Sequence, residues 1–451
     1  MEIINKYLTG CLVPIALAAC SLFFLFLFKF KPFIRPKVII RSLFKKKSNN
    51  SVSPLRALIF ALAGTLGVGN IVGVSSAIIL GGAGAVFWMW ISALLAMILK
   101  YSEVVLAIRH RRIRNGEYYG GAMYYMRDYF YGHSKIAQGV IFCFVFVILC
   151  LINGTTMGCM IQSNAISTSF GYTFGVSPKM IGIIIAVMCV VVFLFNGNKV
   201  FYLCERLVPL VSGLYILMSL ATIIINWEKM PSVFDSIFTS AFDFGALGAG
   251  AFGFLLSRAL RYGTIRGLFS NEAGCGTSPI AHATANTGSP CEEGFLGMVE
   301  VFIDTIVVCT LTALVILSSG KLIPENAEPM QIVIDAFEST LGKSSTVLLA
   351  TCIFMFAFAT IICWGYYGKE CVYFFNKSKK CEVIYYISYI SLSFFGSYTI
   401  QDTVWSLADF AIGAMTLMNL YILVAMRNEI KIETDSYYNE YNKRASRGKL
   451  K

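Results

Sequence analysis

The chain has 451 residues, 57% of them hydrophobic and only 14% charged, with a mean hydropathy of +0.69; no ordinary soluble domain can bury that much apolar side chain. Its formal charge of +12 would suit nucleic acid, but the Lys and Arg sit in short runs beside apolar stretches, as in Phe28-Lys-Phe-Lys, Lys45-Lys-Lys and Arg109-His-Arg-Arg-Ile-Arg, which is the pattern of membrane loops. Fourteen scattered Cys without a C-x-x-C pair, and three His, argue against a disulfide framework or a metal cluster.

In chain order, residues 8–29 form the first predicted span. Leu17-Ala-Ala-Cys20 resembles a lipoprotein cleavage box, yet the apolar run continues to Phe28 and no polar tether follows, so an uncleaved helix is expected. Further spans are predicted at 55–79, 82–108, 136–165, 179–196, 205–227, 239–260, 293–318, 345–368, 383–399 and 403–426, about eleven crossings in all. Placing the N-terminus outside puts about 31 Lys and Arg in the inner loops and about five in the outer ones, so the C-terminus is expected in the cytoplasm. The inner set includes 258–290, with Arg258, Arg261 and Arg266, and a basic tail after Arg427 expected to be solvated.

Two spans are rich in glycine. The second reads Gly64-Thr-Leu-Gly67-Val-Gly69-Asn70-Ile-Val-Gly73 and the seventh Phe244-Gly245-Ala-Leu-Gly248-Ala-Gly250-Ala-Phe252-Gly253. Each glycine weakens a helix by roughly 1 kcal/mol relative to Ala. Close packing of helices also uses such residues. With the extra N-terminal helix set aside, however, the two segments are first and sixth of ten core spans. Interrupted helices at matching places in two halves mark the midplane site of a transporter built from inverted repeats. Half-helix ends can then face a carboxylate, and unwound carbonyls a cation. The expected organisation is an all-α membrane protein: an extra helix (1–30), a basic linker (31–54), two five-helix repeats (55–227 and 228–426) and a basic tail (427–451).

Several motifs resemble the alanine/glycine:cation symporter family. They are Gly64-Thr-Leu-Gly-Val-Gly-Asn-Ile71, Gly84-Ala-Val-Phe-Trp-Met-Trp90, Lys100-Tyr-Ser-Glu103, Gly120-Gly-Ala-Met-Tyr-Tyr125, Phe302-Ile-Asp304-Thr and Phe358-Ala-Thr-Ile-Ile-Cys-Trp364-Gly-Tyr-Tyr-Gly368. Most specific is Arg266-Gly-Leu-Phe-Ser-Asn-Glu-Ala-Gly-Cys-Gly-Thr-Ser-Pro-Ile-Ala-His282. The resemblance covers residues 55–425 and implies a leucine-transporter-type fold, sodium as coupling ion with no other cofactor, and a small neutral amino acid as cargo. It also implies a multi-pass protein of the bacterial inner membrane, monomeric as a functional unit.

By the same resemblance, Thr65, Gly67, Gly69 and Asn70 of the first break would meet substrate. So would Gly248, Gly250 and Phe252 of the second, with Gln162, Asn164 and Trp364 lining the pocket. The carbonyls of Ala63, Leu66 and Phe356 with the Thr360 hydroxyl would hold sodium; hard cations want several oxygens. Ala359 stands where the family often has Ser, Val68 where it often has Thr, and Ala122 replaces a usual Pro. The missing Ala359 hydroxyl leaves proton coupling or another amino acid as the alternative.

Ser270-Asn-Glu-Ala-Gly274 is expected in a cytoplasmic gate, with Glu103, Arg266, Asn271 and Glu272 as gating residues and Arg258, Arg261 or Arg266 pairing with Glu272 or Glu103. Asp304, Asp409 and Lys100 are further gating candidates. A channel lacks a visible filter. An enzyme would need a clustered nucleophile and base, and His110, His133 and His282 all fall in predicted loops.

Overall fold

The computed structural model describes residues 2–34, 52–114, 116–194, 197–242, 258–321, 324, 327–399 and 402–446. Among them the only sheet is a hairpin at one end of the bundle, Arg112–Arg114 paired antiparallel with Glu117–Tyr119. Everything else regular is helical, as lipid requires of a chain that must satisfy its own backbone.

Among the described residues, seven helices are long and apolar enough to cross a membrane: α1 (Leu8–Leu27), α4 (Gly84–Arg109), α6 (Ile136–Phe174), α8 (Val200–Ile225), α11 (Pro290–Ser318), α13 (Ser344–Phe375) and α15 (Asp402–Ala425). An eighth span is the bent pair α2 (Pro54–Thr65) and Val68–Gly81, which turns by 63° at its break; its second part is mostly α3 (Val72–Gly81). Between these lie α5 (Ala122–Gly132), the shorter apolar α7 (Pro178–Phe193), α9 (Met230–Ala241), α10 (Arg258–Asn271), α12 (Pro329–Leu341), α14 (Lys379–Gly396) and, last, α16 (Arg427–Ser446).

Helix α4 is the hub. Helices α10 and α11 lie along it on glycines. A Cβ on Gly267 would sit 2.8 Å from the Ser92 hydroxyl, and one on Gly294 2.8 Å from the Tyr101 ring. Small residues one turn apart let helix backbones close up where no hydrophobic force separates helix from lipid.

Contacts identify the two ends of the bundle. At one end Arg258 donates to the Leu80 carbonyl at 2.8 Å, Asn5 to the Ser406 carbonyl at 2.7 Å and Tyr172 to Glu328 at 2.5 Å. At the other, Arg111 donates to the Ala285 carbonyl at 2.5 Å, the Asn286 amide to the Val52 carbonyl at 2.8 Å and Lys31 to Asp435 at 2.5 Å. The chain therefore crosses between 258 and 286, through α10 and a non-helical stretch ending in Pro279–His282.

Three expectations change. The span expected at 239–260 ends its helix at Ala241, and the predicted break at 244–253 lies outside the described residues. Arg258, Arg261 and Arg266 belong to α10, which starts at the Leu80 end and not in a loop beside Arg111. The tail is no free coil: 427–446 is a helix that buries Ile430, Thr434 and Tyr438 and bonds Tyr101 to Thr434 at 3.1 Å.

Candidate functional site: two breaks that meet at mid-depth

At the first break the backbone is diverted from its helical partners by side chains. The Gly67 amide donates to Asn70 Oδ1 at 3.0 Å, where a continuous helix would have sent it to the Ala63 carbonyl. The Asn70 amide donates to Gly67 at 3.3 Å and leaves the Leu66 carbonyl without its helical donor. The Val68 amide donates to Gln162 Oε1 at 3.1 Å, and Gln162 Nε2 is anchored on the Met157 carbonyl at 3.1 Å. Glycine is required at 67 for space: a Cβ would lie 2.7 Å from Thr360 Oγ1 and 3.0 Å from Gln162 Oε1.

The freed carbonyls converge on Thr360. Its hydroxyl is 3.0 Å from Ala63 O, 3.4 Å from Leu66 O and 3.1 Å from Phe356 O. One hydroxyl proton can satisfy one of these acceptors. Apart from the helical N–H bond that the Phe356 carbonyl keeps within α13, these four buried oxygens have one hydroxyl proton among them, an electron-rich cage suited to a hard monovalent cation. All four residues predicted for sodium are thus brought together.

Asn70 turns its amide away from that cage. Its Nδ2 faces Asp304 Oδ1 at 2.7 Å, the Asp304 carbonyl at 3.1 Å and Ser270 Oγ at 2.8 Å. Ser270 and Thr305 both donate to Asp304 Oδ2, at 2.7 and 2.8 Å. This clamp joins the first break to the end of α10, so Asn70 and Asn271, which donates to Thr305 at 3.1 Å, act as structural ties.

A second interruption follows directly. Beyond Asn271 the backbone takes left-handed conformations at Glu272 (φ 51°), Gly274 (φ 85°) and Gly276 (φ 81°). Left-handed geometry is costly for a non-glycine residue such as Glu272. Residues 271–278 are all buried. The expected cytoplasmic gate loop is therefore the broken middle of a span, packed against the first break. Only a ring of polar partners makes such backbone tolerable at that depth.

Those partners are ionic. Gly276 N–H donates to Glu103 Oε2 at 3.1 Å, and Asn419 reaches the same oxygen at 2.9 Å and the Gly274 carbonyl at 2.9 Å. Lys100 Nζ donates to Ser278 at 2.6 Å and lies 3.4 Å from Glu300 and 3.8 Å from Glu103. His282 bridges Glu293 at 2.7 Å and Glu300 at 3.0 Å. None of the three arginines has an ion pair with Glu272 or Glu103 among the described residues; Arg266 faces Asp409 at 3.7 Å instead. The sequence signal for this network was a scatter of ionisable residues inside apolar helices, which default to functional or paired positions.

Above the first break a cavity of about 510 Å³ opens toward the end bearing Glu328 and Asp402, walled by Val68, Val72, Asn164, Thr168, Arg266 and Trp405. The Arg266 guanidinium stacks over the Trp405 ring at 5.2 Å, a cation–π contact that narrows it. Of the side chains expected to meet substrate, Asn164 lines this space. Thr65 bonds back to the Ala61 carbonyl at 3.4 Å, and Gly69 packs on Phe269 and Ser270. Trp364 is fully buried against Gly154 and Gly158, and its indole N–H has no partner among the described residues. Gly248, Gly250 and Phe252 lie outside the described residues.

An apolar-walled bundle with two breaks at mid-depth, a cation cage and a cavity open to one end defines a secondary transporter of the leucine-transporter type and not an enzyme. Two solved structures share this fold: MhsT in complex with L-phenylalanine (TM-score 0.59, 14% identity, covering 86% of this chain and 93% of that one) and a Na+-coupled sialic acid symporter in a substrate-bound outward-open state (TM-score 0.57, 14% identity, 92% and 85%). The sodium:alanine symporter family model matches residues 1–450, and the chain belongs to that family. It is 34% identical over 400 residues to the sodium/alanine symporter AgcS of Methanococcus maripaludis, covering 88% of this chain and 86% of the relative. It is also 33% identical over 421 residues to the probable sodium/glutamine symporter GlnT of Bacillus subtilis, covering 93% and 86%.

Proposed function

We propose that this protein carries a small neutral amino acid, alanine or glycine, into the cell together with sodium by alternating access. The observation that carries the reading is the Thr360 hydroxyl ringed by the Ala63, Leu66 and Phe356 carbonyls. Two of those carbonyls belong to the first break, so a cation there draws α2 and α13 together and favours one packing of the break over another. The cavity above Val68 is the outer approach, narrowed by Arg266 and Trp405, and the substrate's carboxylate would meet the N–H groups of the first break. Closure on the opposite side comes from Lys100, Glu103 and Glu300 around the second break.

The end carrying Arg111, Arg112 and Arg114 is cytoplasmic in this reading, with the N-terminus outside, in a bacterial inner membrane. The working unit is one chain, with repeats at 55–227 and 228–426 about the two breaks and the N-terminal helix outside them. A second reading, a larger neutral cargo such as glutamine, is favoured by the cavity of about 510 Å³ and by the relative named for that amino acid. Uptake of labelled alanine, glycine and glutamine into proteoliposomes, with an imposed sodium or proton gradient, decides between them. Sodium-driven accumulation of alanine or glycine is expected; accumulation driven only by a proton gradient would transfer the coupling role to protons.

A further inference from the structure

Four glutamates surround the second break: Glu103, Glu272, Glu293 and Glu300, all with no solvent exposure. Two cations face them. Lys100 contacts Glu300 and Glu103, and His282 holds a carboxylate at each ring nitrogen. If every group were ionised, with His282 a cation, the interior would hold two uncompensated negative charges. An unpaired buried charge is so unfavourable that the group takes up a proton instead.

The hydrogen bonds show which carboxylate is least provided for. Glu300 receives Ser278, Lys100 and His282. Glu103 receives Gly276 and Asn419, and Glu293 is held by His282. Asp304 has no cation but receives Asn70, Ser270 and Thr305, a solvation shell built from protein. Glu272 has a single donor, the Thr277 hydroxyl at 2.6 Å on Oε2; its Oε1, like Glu103 Oε1 and Glu293 Oε2, is buried without a hydrogen bond, and unlike Glu103 and Glu293 it has no ion pair among the described residues. Its backbone is in the left-handed region, so the carboxyl is held at mid-depth by the break itself.

We infer that Glu272 is a proton-binding site, occupied while this half of the bundle is closed and emptied when water enters it. The proton leaves to entering water, and the carboxylate that remains gains hydration it lacks in the closed state. A metal ion is a poorer occupant, since no three His, Cys, Asp or Glu converge to hold one among the described residues. The groups that face Glu272 and set its titration are Lys100 and Glu103 of α4, Cys275 in the break, Glu300 and Asp304 of α11, and Cys363 and Tyr367 of α13, with His282 and Glu293 behind Glu300. Proton occupancy stands on this geometry alone; its link to opening rests on the transport reading above.

The test is infrared difference spectroscopy of the purified protein in lipid nanodiscs, with neither substrate nor gradient, as pH is raised in potassium buffer. A carboxylic-acid C=O band that is present at neutral pH, disappears on alkalinisation and is absent in Glu272→Gln is expected. Thr277→Val, which removes the one donor to the carboxylate, should move the disappearance up by about one pH unit and guards against a Glu272→Gln variant that fails to fold. A band unchanged by both substitutions, or one abolished by sodium at constant pH, overturns the site. In proteoliposomes the wild type should show uptake that varies with internal pH, and Glu272→Gln uptake that does not. Equal pH dependence in both would break the link to opening, whereas absence of any uptake with the band intact would count against transport and leave the proton site standing.

Discussion

The two breaks meet at the same depth yet close their backbones with different chemistry. The first uses neutral partners: the Asn70 and Gln162 amides take up N–H groups, and the carbonyls left over gather at Thr360. The second uses charged ones: Glu103 takes the Gly276 amide, and Lys100, Glu300 and His282 compensate around it. Neutral amides leave spare carbonyl lone pairs and so create a place for a cation. Ionised partners leave none, and they tie the stability of the break to how dry its surroundings are, because the desolvation of a buried pair is recovered only while the pair is intact.

The sharpest way to break this comparison is to remove one charge from the second break. Lys100→Met should destabilise the protein by roughly 3–5 kcal/mol, since Glu103 is left buried without a cation and Glu300 keeps only His282. The double variant Lys100→Met/Glu300→Gln should recover part of that loss. Thermal unfolding in detergent reads both, and a harmless Lys100→Met would show that the network is not ionised.

At the first break the loss should be of ion binding and not of fold. Thr360→Val is expected to raise the sodium concentration needed for half-maximal binding about tenfold, the equivalent of ~1.4 kcal/mol. Gly67→Ala should do at least as much, because its methyl would press on both Thr360 and Gln162. Gly69→Ala is the control: its nearest neighbour would be 3.5 Å away, an ordinary contact, so a change within about 0.5 kcal/mol is expected. If the two glycine variants behave alike, the cage is misplaced.

The smallest effect lies outside both breaks, where charge meets water. His110 sits between Asp128 at 2.9 Å and Glu429 at 3.0 Å and fastens α16 to the hairpin end of the bundle. Partial burial works against its charged form, but the Asp128 and Glu429 carboxylates outweigh it and push the imidazole up to about 9. Asp128 is held below its usual range despite partial burial, by His110 and Arg112, and Glu429 likewise by His110. A raised histidine stabilises fully below its ordinary value of about 6.5 and loses that contribution as pH climbs through the raised value; depressed carboxylates contribute above their ordinary range and lose it only in acid. Helix α16 should therefore stay docked at neutral pH and exchange its amide hydrogens several-fold faster above pH 9, and His110→Gln should show the fast exchange at neutral pH.

Much of the architecture was legible in the residues. The all-helical membrane character and the first break could be read directly, because hydropathy and glycine content act locally. The four residues that family resemblance named for sodium are brought together at Thr360; the physical origin of that meeting, two carbonyls released when Asn70 caps Gly67, is visible only once the side chains are placed. The second break was expected at 244–253, where glycine is densest and which lies outside the described residues. Among the described residues the chain is interrupted at Asn271–Ser278, a stretch with two glycines and a glutamate that propensity alone would not choose.

The reason for that difference is physical. Propensity reports how easily a helix can be broken, at about 1 kcal/mol per glycine. Where it does break at membrane depth depends on where partners wait for the freed N–H and C=O groups, and those come from residues far apart in sequence: Glu103, Asn419, Lys100 and Asp304. The sequence by itself determined the solvent this protein lives in, its helical character and its family. Only the tertiary structure decided which glycines unwind, which carbonyls are left free for a cation and which buried glutamate is left without an ion pair among the described residues.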